Sequence, residues 1–190
     1  MRRSLADDDK CVTKYAQWPF RGGILLTMLV TDGVIVLSEF TLADASTMSL
    51  ADADSELRRR FDFPEDFVPS VEHSEEVVRR WQCERLAGAR YAHAVRAATT
   101  LELLGGCELR PLRDGVANVS YWTYPTHRSC GVASRALALL IKIASDDYQF
   151  TSLEAEIDLD NIASKTVAER NAFYVAAHRN GRILYMRRLP

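Results

Sequence analysis

Residues 120–135 read SYWTYPTHRSCGVASR, and this stretch predicts a strand, a short loop and a helix in direct succession. Pro125 ends the strand, because proline cannot donate to a sheet ladder. The helix beginning near Gly131 starts with N–H groups that have no partner inside it and carry the positive end of the helix dipole. Arg128 adds a guanidinium suited to phosphate oxygens. The stretch therefore predicts a phosphate or pyrophosphate site, although a lone loop of this kind is more often only a helix start.

The rest of the chain alternates between strand and helix signals, which predicts a mixed sheet with helices on its faces. Asp-Gly and Asn-Gly pairs at 32–33, 114–115 and 180–181 predict tight turns. Gly105-Gly106 inside a strand predicts a bulge or a close backbone approach. The predicted strands span 24–30, 34–40, 91–96, 101–109, 116–124, 153–159, 173–177 and 183–187. The predicted helices open at a capping box over 41–44 and cover 52–60, 75–87, 131–144 and 162–170.

Length and charge limit the classes of function. A chain of 190 residues fits one compact domain, and 47% hydrophobic with 26% charged residues is typical of a globular protein. The net charge of −2 gives no reason to expect nucleic-acid binding, which needs a concentrated positive surface. The basic run at 58–60 is interpreted as a solvated helix end.

The cysteines and the apolar runs bear on metals and on location. Cys11, Cys83, Cys107 and Cys130 form no C-x-x-C pair, so we expect neither a metal site nor a disulfide framework. Reduced thiols suit a cytoplasmic protein. The apolar run at 24–30 is too short to span a bilayer, and the acids at 7–9 interrupt any signal-peptide pattern. We therefore expect no membrane association.

Two stretches of the sequence resemble motifs of the GNAT superfamily of N-acetyltransferases. The stretch from Tyr121 to Leu137 resembles motif A, and the stretch from Asn161 to Phe173 resembles motif B. Their order, and the opening at 34–45, are similar to the branch containing the RimJ and RimL ribosomal-protein N-terminal acetyltransferases. The resemblance covers residues 33–190 and leaves 1–32 as an extension that could add a strand. It implies an α/β fold with a mostly antiparallel, twisted central sheet, splayed at the acyl-CoA site and flanked by helices on both faces.

The resemblance implies acetyl-CoA as cosubstrate and a primary amine, on a protein N-terminus or a small molecule, as acceptor. Arg128 and the backbone from Cys130 to Ser134 would hold the pyrophosphate. The strand edge at 122–124 would pair with the pantetheine arm, and Asn161 would hydrogen-bond that arm. The full set of implied donor-binding residues is Trp122, Thr123, Tyr124, Arg128, Cys130, Gly131, Val132, Ala133, Ser134 and Asn161. Either a monomer or a homodimer is compatible with the sequence.

The reaction needs a neutral amine, a donor to the oxyanion and a proton donor for the departing thiolate. Many family members carry a tyrosine acid where this chain has Ala168. Ser164 is the remaining candidate for the acid, and Tyr174 is a less well placed alternative. A serine in the first turn of a helix is also a common cap. Glu108 is the predicted base, directly or through water, unless it is a salt-bridged glutamate.

Two positions depart from the glycines usual in the family. Ser129 is tolerated if its φ is negative, whereas Ala172 costs about 1 kcal/mol if its φ is positive. The missing tyrosine leaves a non-catalytic CoA-binding module as the alternative function. A nucleotide-binding protein is a weaker alternative, because the sequence has neither a P-loop lysine nor a G-x-G-x-x-G.

Overall fold

Eight strands form one sheet in this computed structural model, which describes residues 30–113 and 115–190. In chain order they are β1 (Val30–Thr31), β2 (Ile35–Ser38), β3 (Tyr91–Ala97), β4 (Leu103–Arg113), β5 (Val116–Thr123), β6 (Ser152–Asp158), β7 (Tyr174–Arg179) and β8 (Arg182–Arg188). Across the sheet the order is β1-β2-β3-β4-β5-β6-β8-β7. Neighbouring strands are antiparallel except β5 and β6, which are parallel. The predicted mixed, mostly antiparallel sheet is confirmed.

Helices cover both faces of the sheet because each strand alternates its side chains between two cores. Within the described residues they are α1 (Ala45–Ala51), α2 (Ser55–Arg60), α3 (Val71–Leu86), α4 (Val132–Asp146) and α5 (Ile162–Arg170). The larger core joins α4 and α5 to residues such as Leu109 and Leu153. The smaller core joins α1, α2 and α3 to the other face, around Val78 and Tyr124. No helix in the described part of the chain is long and apolar enough to cross a bilayer.

The helix starts follow local capping chemistry. The backbone N–H and the hydroxyl of Thr41 donate to the Asp44 carboxylate at 2.8 and 3.1 Å, so the predicted capping interaction is confirmed. It opens a 3-10 turn, Leu42–Asp44, before α1 begins. α3 begins at Val71 rather than at the predicted 75, because the Ser70 hydroxyl accepts the His73 N–H at 3.1 Å.

Gly105 and Gly106 give β4 both predicted features. The pairing of β4 with β3 shifts register between Val95 and Arg96, opposite Gly105. A Cβ on Gly105 would lie 2.2 Å from the carbonyl oxygen of Trp122, and one on Gly106 would lie 2.2 Å from its indole ring. β4 therefore approaches β5 closely at the level of Trp122.

Two predicted features fall partly outside the described residues. The predicted strand at 24–30 is described only from Val30, which pairs with Leu37 of β2. In the predicted 114–115 turn, Asp114 lies outside the described residues, and Gly115 has a φ of 70°.

Candidate active site

The sheet opens between its two parallel strands. β5 pairs with β6 only through residues 116–118 and 152–154, and the remaining residues of the two strands are not paired with each other. A cleft of about 800 Å³ lies there, lined by β5, β6, the residues before α4, and parts of α2 and α5. The predicted splay is therefore present, at the carboxyl ends of the two strands, where open α/β sheets bind ligands.

The separation from β6 leaves one edge of β5 unpaired. The Tyr124 N–H donates to the Leu104 carbonyl at 2.9 Å. The peptide groups of Tyr124 and of every second residue before it in β5 therefore point toward β4. Alternation along the strand then directs the peptide groups of Val119, Tyr121 and Thr123 to the side that β6 has left. An extended ligand could pair with this edge as an added strand.

The residues between β5 and α4 place a helix N-terminus against the same cleft. The 3-10 turn Pro125–His127 is followed by Arg128, Ser129 and Cys130, and Gly131 is the N-cap of α4. Gly131 has a φ of 77°. A Cβ added to it would meet no atom within 4 Å, so the space beside the helix start is open. Since glycine has no side-chain acceptor, the first N–H groups of α4 have no side-chain cap. They can donate to an anion.

Ser129 departs from the condition under which it was expected to be tolerated. Its φ is 63°, in the left-handed region that favours glycine, so the condition for its being tolerated is not met. Ala172 also has a positive φ, 57°. Each residue therefore costs about 1 kcal/mol relative to glycine. The loop that carries Arg128 therefore includes one residue, Ser129, in an unfavourable backbone conformation.

Arg128 lies on the cleft and forms an ion pair with the start of α2. Its guanidinium contacts both carboxylate oxygens of Asp54, at 2.5 and 3.3 Å. Its Nε also donates to the Thr123 carbonyl at 3.4 Å. Asp54 is the N-cap of α2 and accepts the Leu57 N–H at 2.8 Å. Hydrogen bonding to Arg128 is the largest cause that holds the pKa of Asp54 below its ordinary value.

The other end of α2 is tied to the opposite wall of the cleft. Arg60 contacts Asp158 at 2.9 Å and Asp160 at 2.6 Å, and Arg59 contacts Asp160 at 2.9 Å. The Arg60 side chain is only 14% exposed. The basic run 58–60 is thus the predicted helix end, with Arg59 half exposed, but Arg60 is largely buried and ties α2 to β6.

Ser164 and Tyr121 meet across the cleft wall. The Ser164 hydroxyl lies 3.0 Å from the Tyr121 hydroxyl, which lies 2.9 Å from the Ser164 carbonyl oxygen. Asn161 caps α5 by accepting the Ser164 N–H at 3.0 Å. Its Nδ2 donates no hydrogen bond to any other described residue. Burial raises the pKa of Tyr121 to about 12.

Most of the predicted site residues lie together. Those that line the cleft are Trp122, Thr123, Arg128, Gly131, Val132, Ala133, Ser134, Asn161 and Ser164. Cys130 is exposed beside them, whereas Tyr124 is buried in the smaller core. Tyr174, the alternative acid, is 49% exposed on β7 and does not line the cleft.

Glu108 is held away from this group. It is buried on β4, where its carboxylate contacts Arg90 at 2.9 Å and Arg110 at 3.1 Å. It does not line the cleft. The two guanidiniums occupy both of its oxygens, so the geometry favours the salt-bridged alternative.

Two further residues on the cleft had no role in the sequence-based site. Tyr121 stands inside motif A, and its position two residues after the inward-facing Val119 is the signal that could have placed it beside the helices. Glu156 is exposed on β6 and lines the cleft. Its carboxylate has no ion pair or hydrogen bond with any described residue. Its signal was the alternation of 153–159, which places it on the face opposite Leu153 and Ile157.

The parallel strand pair that parts beside an uncapped helix N-terminus matches the splayed sheet that the resemblance to the GNAT motifs implies. The chain belongs to the acetyltransferase (GNAT) domain family, whose family model matches residues 35–174. The predicted acetyl-CoA-dependent N-acetyltransferase class is thereby confirmed. Comparison with curated proteins by sequence found no match.

Solved structures share this fold at low sequence identity. RimL, a ribosomal L7/L12 alpha-N-protein acetyltransferase solved with coenzyme A, has a TM-score of 0.73 at 18% identity, covering 85% of this chain and 98% of its own. MccE, a microcin C7 self-immunity acetyltransferase solved with acetyl-CoA and AMP, has a TM-score of 0.69 at 17% identity, with 84% and 94% covered. RimJ from Mycobacterium smegmatis, solved with a CoA disulfide, has a TM-score of 0.67 at 15% identity, with 83% of each chain covered.

Proposed function

We propose that the protein moves the acetyl group of acetyl-CoA to a primary amine, on a protein N-terminus or a small molecule, in the cleft between β5 and β6. One observation carries the proposal: an unpaired strand edge leads to an uncapped helix N-terminus on a single cleft. The N–H groups of α4 suit the diphosphate, and the edge at 119–123 suits the amides of the pantetheine arm. RimL, an alpha-N-protein acetyltransferase, supports a protein N-terminus as one kind of acceptor.

Donor binding rests on the loop before α4, on Asn161 and on the edge of β5. Arg128 supplies a guanidinium to the diphosphate beside the backbone from Cys130 to Ser134. The unpaired Nδ2 of Asn161 can donate to a carbonyl of the pantetheine arm. On the predicted edge at 122–124 the peptide group of Thr123 faces the cleft and can pair with the arm, whereas those of Trp122 and Tyr124 face β4.

Acetyl transfer requires the amine to lose a proton, because an ammonium has no lone pair. We assign this step to Glu156, whose unpaired carboxylate lines the cleft, and not to Glu108, which is salt-bridged outside it. The carboxylate takes the ammonium proton, directly or through water, and releases it to solvent. The neutral nitrogen then bonds to the acetyl carbon, its second proton passes to the carboxylate, and the carbon–sulfur bond breaks with sulfur leaving as the thiolate. A β5 N–H near Thr123 stabilises the developing oxyanion. Ser164 donates a hydrogen bond to the departing thiolate.

The alternative function is a CoA-binding module without catalysis. It is favoured by Ala168, which is fully buried and has no hydroxyl at the position of the usual tyrosine acid. Both functions predict CoA binding. They differ in whether free thiol is released when an amine is added.

The test is thiol release from acetyl-CoA with a panel of peptides bearing free N-termini and of small primary amines. We expect release with at least one acceptor and about 100-fold slower turnover in Glu156→Gln, since an amide cannot take the proton. Glu108→Gln, the matched control on β4, should lose stability more than turnover. Arg128→Ala should weaken CoA binding about 10-fold, by loss of a charged hydrogen bond, with little change in folding. Tight CoA binding with no thiol release on any acceptor would establish the module instead.

A further inference from the structure

The hydroxyls of Tyr121 and Ser164 are hydrogen-bonded to each other, and without a ligand only one assignment of donor and acceptor is possible. The Tyr121 oxygen lies 2.9 Å from the Ser164 carbonyl and 3.0 Å from the Ser164 hydroxyl. A carbonyl oxygen only accepts, so the single Tyr121 hydrogen goes to the carbonyl. The Ser164 hydroxyl then donates to the phenol oxygen. The two oxygens that the Tyr121 hydroxyl can donate to, the carbonyl and the hydroxyl oxygen, both belong to Ser164.

This arrangement constrains how Ser164 can serve a thiolate. When Ser164 turns its hydrogen toward a sulfur in the cleft, its oxygen loses that hydrogen bond to Tyr121. The Tyr121 hydrogen can then move from the Ser164 carbonyl to the Ser164 hydroxyl oxygen, because both lie within hydrogen-bond distance. A hydroxyl that accepts one hydrogen bond donates a stronger second one.

We propose that Tyr121 is a positioning residue for the reaction, whose hydroxyl holds Ser164 at the cleft wall and becomes its donor when Ser164 turns to the leaving sulfur. The inference rests on the role of Ser164 in the proposed function. No other bond forms or breaks in this step, because only the two hydrogens change acceptors.

Full proton transfer from Tyr121 to the thiolate is the competing possibility. Burial raises the pKa of Tyr121 to about 12. A thiol pKa is near ~8.5, so the tyrosinate would be disfavoured by more than about 1,000-fold. Tyr121 therefore stays protonated and acts through orientation and hydrogen bonding.

The test compares Tyr121→Phe, Ser164→Ala and the double variant in thiol release from acetyl-CoA. Loss of one neutral hydrogen bond predicts a kcat about 3- to 10-fold lower in Tyr121→Phe, with KM for acetyl-CoA nearly unchanged and the melting temperature slightly lower. The double variant should be no slower than Ser164→Ala, because Tyr121 acts only through Ser164. Tyr148→Phe is the matched control, since it removes a hydroxyl that accepts from Arg85 at 3.1 Å outside the cleft. Its kcat should equal that of the parent.

The other outcomes separate the role of Tyr121, the role of Ser164 and the proposed function. A slow Ser164→Ala with an unchanged Tyr121→Phe, or multiplied effects in the double variant, overturns the role of Tyr121 and leaves the function intact. An unchanged Ser164→Ala removes both hydroxyls from the mechanism. A parent without thiol release on any acceptor overturns the proposed function and this inference with it. If Tyr121→Phe does not fold, difluorotyrosine at position 121 supplies a stronger donor of similar shape. It should raise kcat, and an unchanged kcat overturns the proposal.

Discussion

Arg128 and Asp54 join the loop before α4 to the N-terminus of α2 through a two-pronged ion pair, with contacts of 2.5 and 3.3 Å. The same guanidinium is the one that we assign to the diphosphate of the donor. Asp54 is therefore a competitor for Arg128, and its carboxylate and the diphosphate cannot both hold the guanidinium fully. Because Arg128 is 38% exposed, the competition is modest.

Asp54→Asn is expected to bind CoA about 2- to 5-fold more tightly, in line with the small energies of exposed ion pairs. Asparagine keeps the N-cap oxygen that accepts the Leu57 N–H, so α2 should stay folded. Calorimetric titration with CoA measures the change. Glu56→Gln, which removes a carboxylate of α2 that pairs with Arg59 and Arg60, controls for net charge. Equal gains in the two variants would show that Asp54 does not compete.

Ala172→Gly is expected to stabilise the fold by about 0.5–1 kcal/mol, because Ala172 has a φ of 57° at the end of α5. The Ala172 N–H donates to the Glu169 carbonyl at 3.0 Å and the Phe173 N–H to the Ala168 carbonyl at 3.1 Å, the arrangement in which helices favour glycine. Urea unfolding measures the gain.

The matched control is Ala138→Gly, an exposed position inside α4. It should lose about 1 kcal/mol, since glycine is unfavourable within a helix. A loss of stability in Ala172→Gly as well would show that the left-handed backbone costs nothing there.

Gly106→Ala is expected to destabilise the fold by about 1–3 kcal/mol through overpacking. The added methyl would lie 2.2 Å from the Trp122 ring. That ring packs against Phe61 with centroids 5.6 Å apart and against Trp81 at 6.1 Å. Near-ultraviolet circular dichroism should report the displaced indole. Gly33→Ala, at a turn with no atom within 4 Å, should leave that spectrum unchanged, and the same result in Gly106→Ala would refute the contact.

The free energy of unfolding should depend on pH through the partly buried carboxyl of Asp52. Burial raises its pKa from 3.8 to about 6. The folded state thus binds the proton more tightly, so the associated stability is complete below about pH 4 and is lost as the pH rises through about 6.

Asp52→Asn imitates the protonated carboxyl, and we expect it to be about 1–2 kcal/mol more stable than the parent at pH 8, after allowance for partial exposure. At pH 4 the two proteins should be equal. Denaturant unfolding at both pH values measures the difference. Asp66→Asn, at an exposed loop carboxyl, controls for the change in net charge. A gain in Asp52→Asn that persists at pH 4 would rule out ionisation as its cause.

The local signals of the sequence were sufficient for the fold. The succession of strand, loop and helix over 120–135 is present, as are the alternation of 153–158 and the glycine pair of β4. These features depend on neighbours in the chain, or on backbone conformations that only a few residues allow. Motif spacing also brought Asn161 and Ser164 to the same cleft as Arg128.

The rest depended on contacts between distant residues. The ion pairs of Glu108 with Arg90 and Arg110 require the β3–β4 register, which no local pattern states. Arg60 finds Asp158 across 98 residues of sequence. The φ of Ser129 is imposed by the turn that joins β5 to α4. Tyr121 gained its role only when α5 placed Ser164 beside it.

The most direct test of the central claim is a crystal structure of the protein with coenzyme A. We expect diphosphate oxygens about 3 Å from the N–H groups of 132–134, and the pantetheine arm along the unpaired edge of β5 at 119–123. Coenzyme A bound elsewhere, or a cleft that remains empty at saturating ligand, would contradict it.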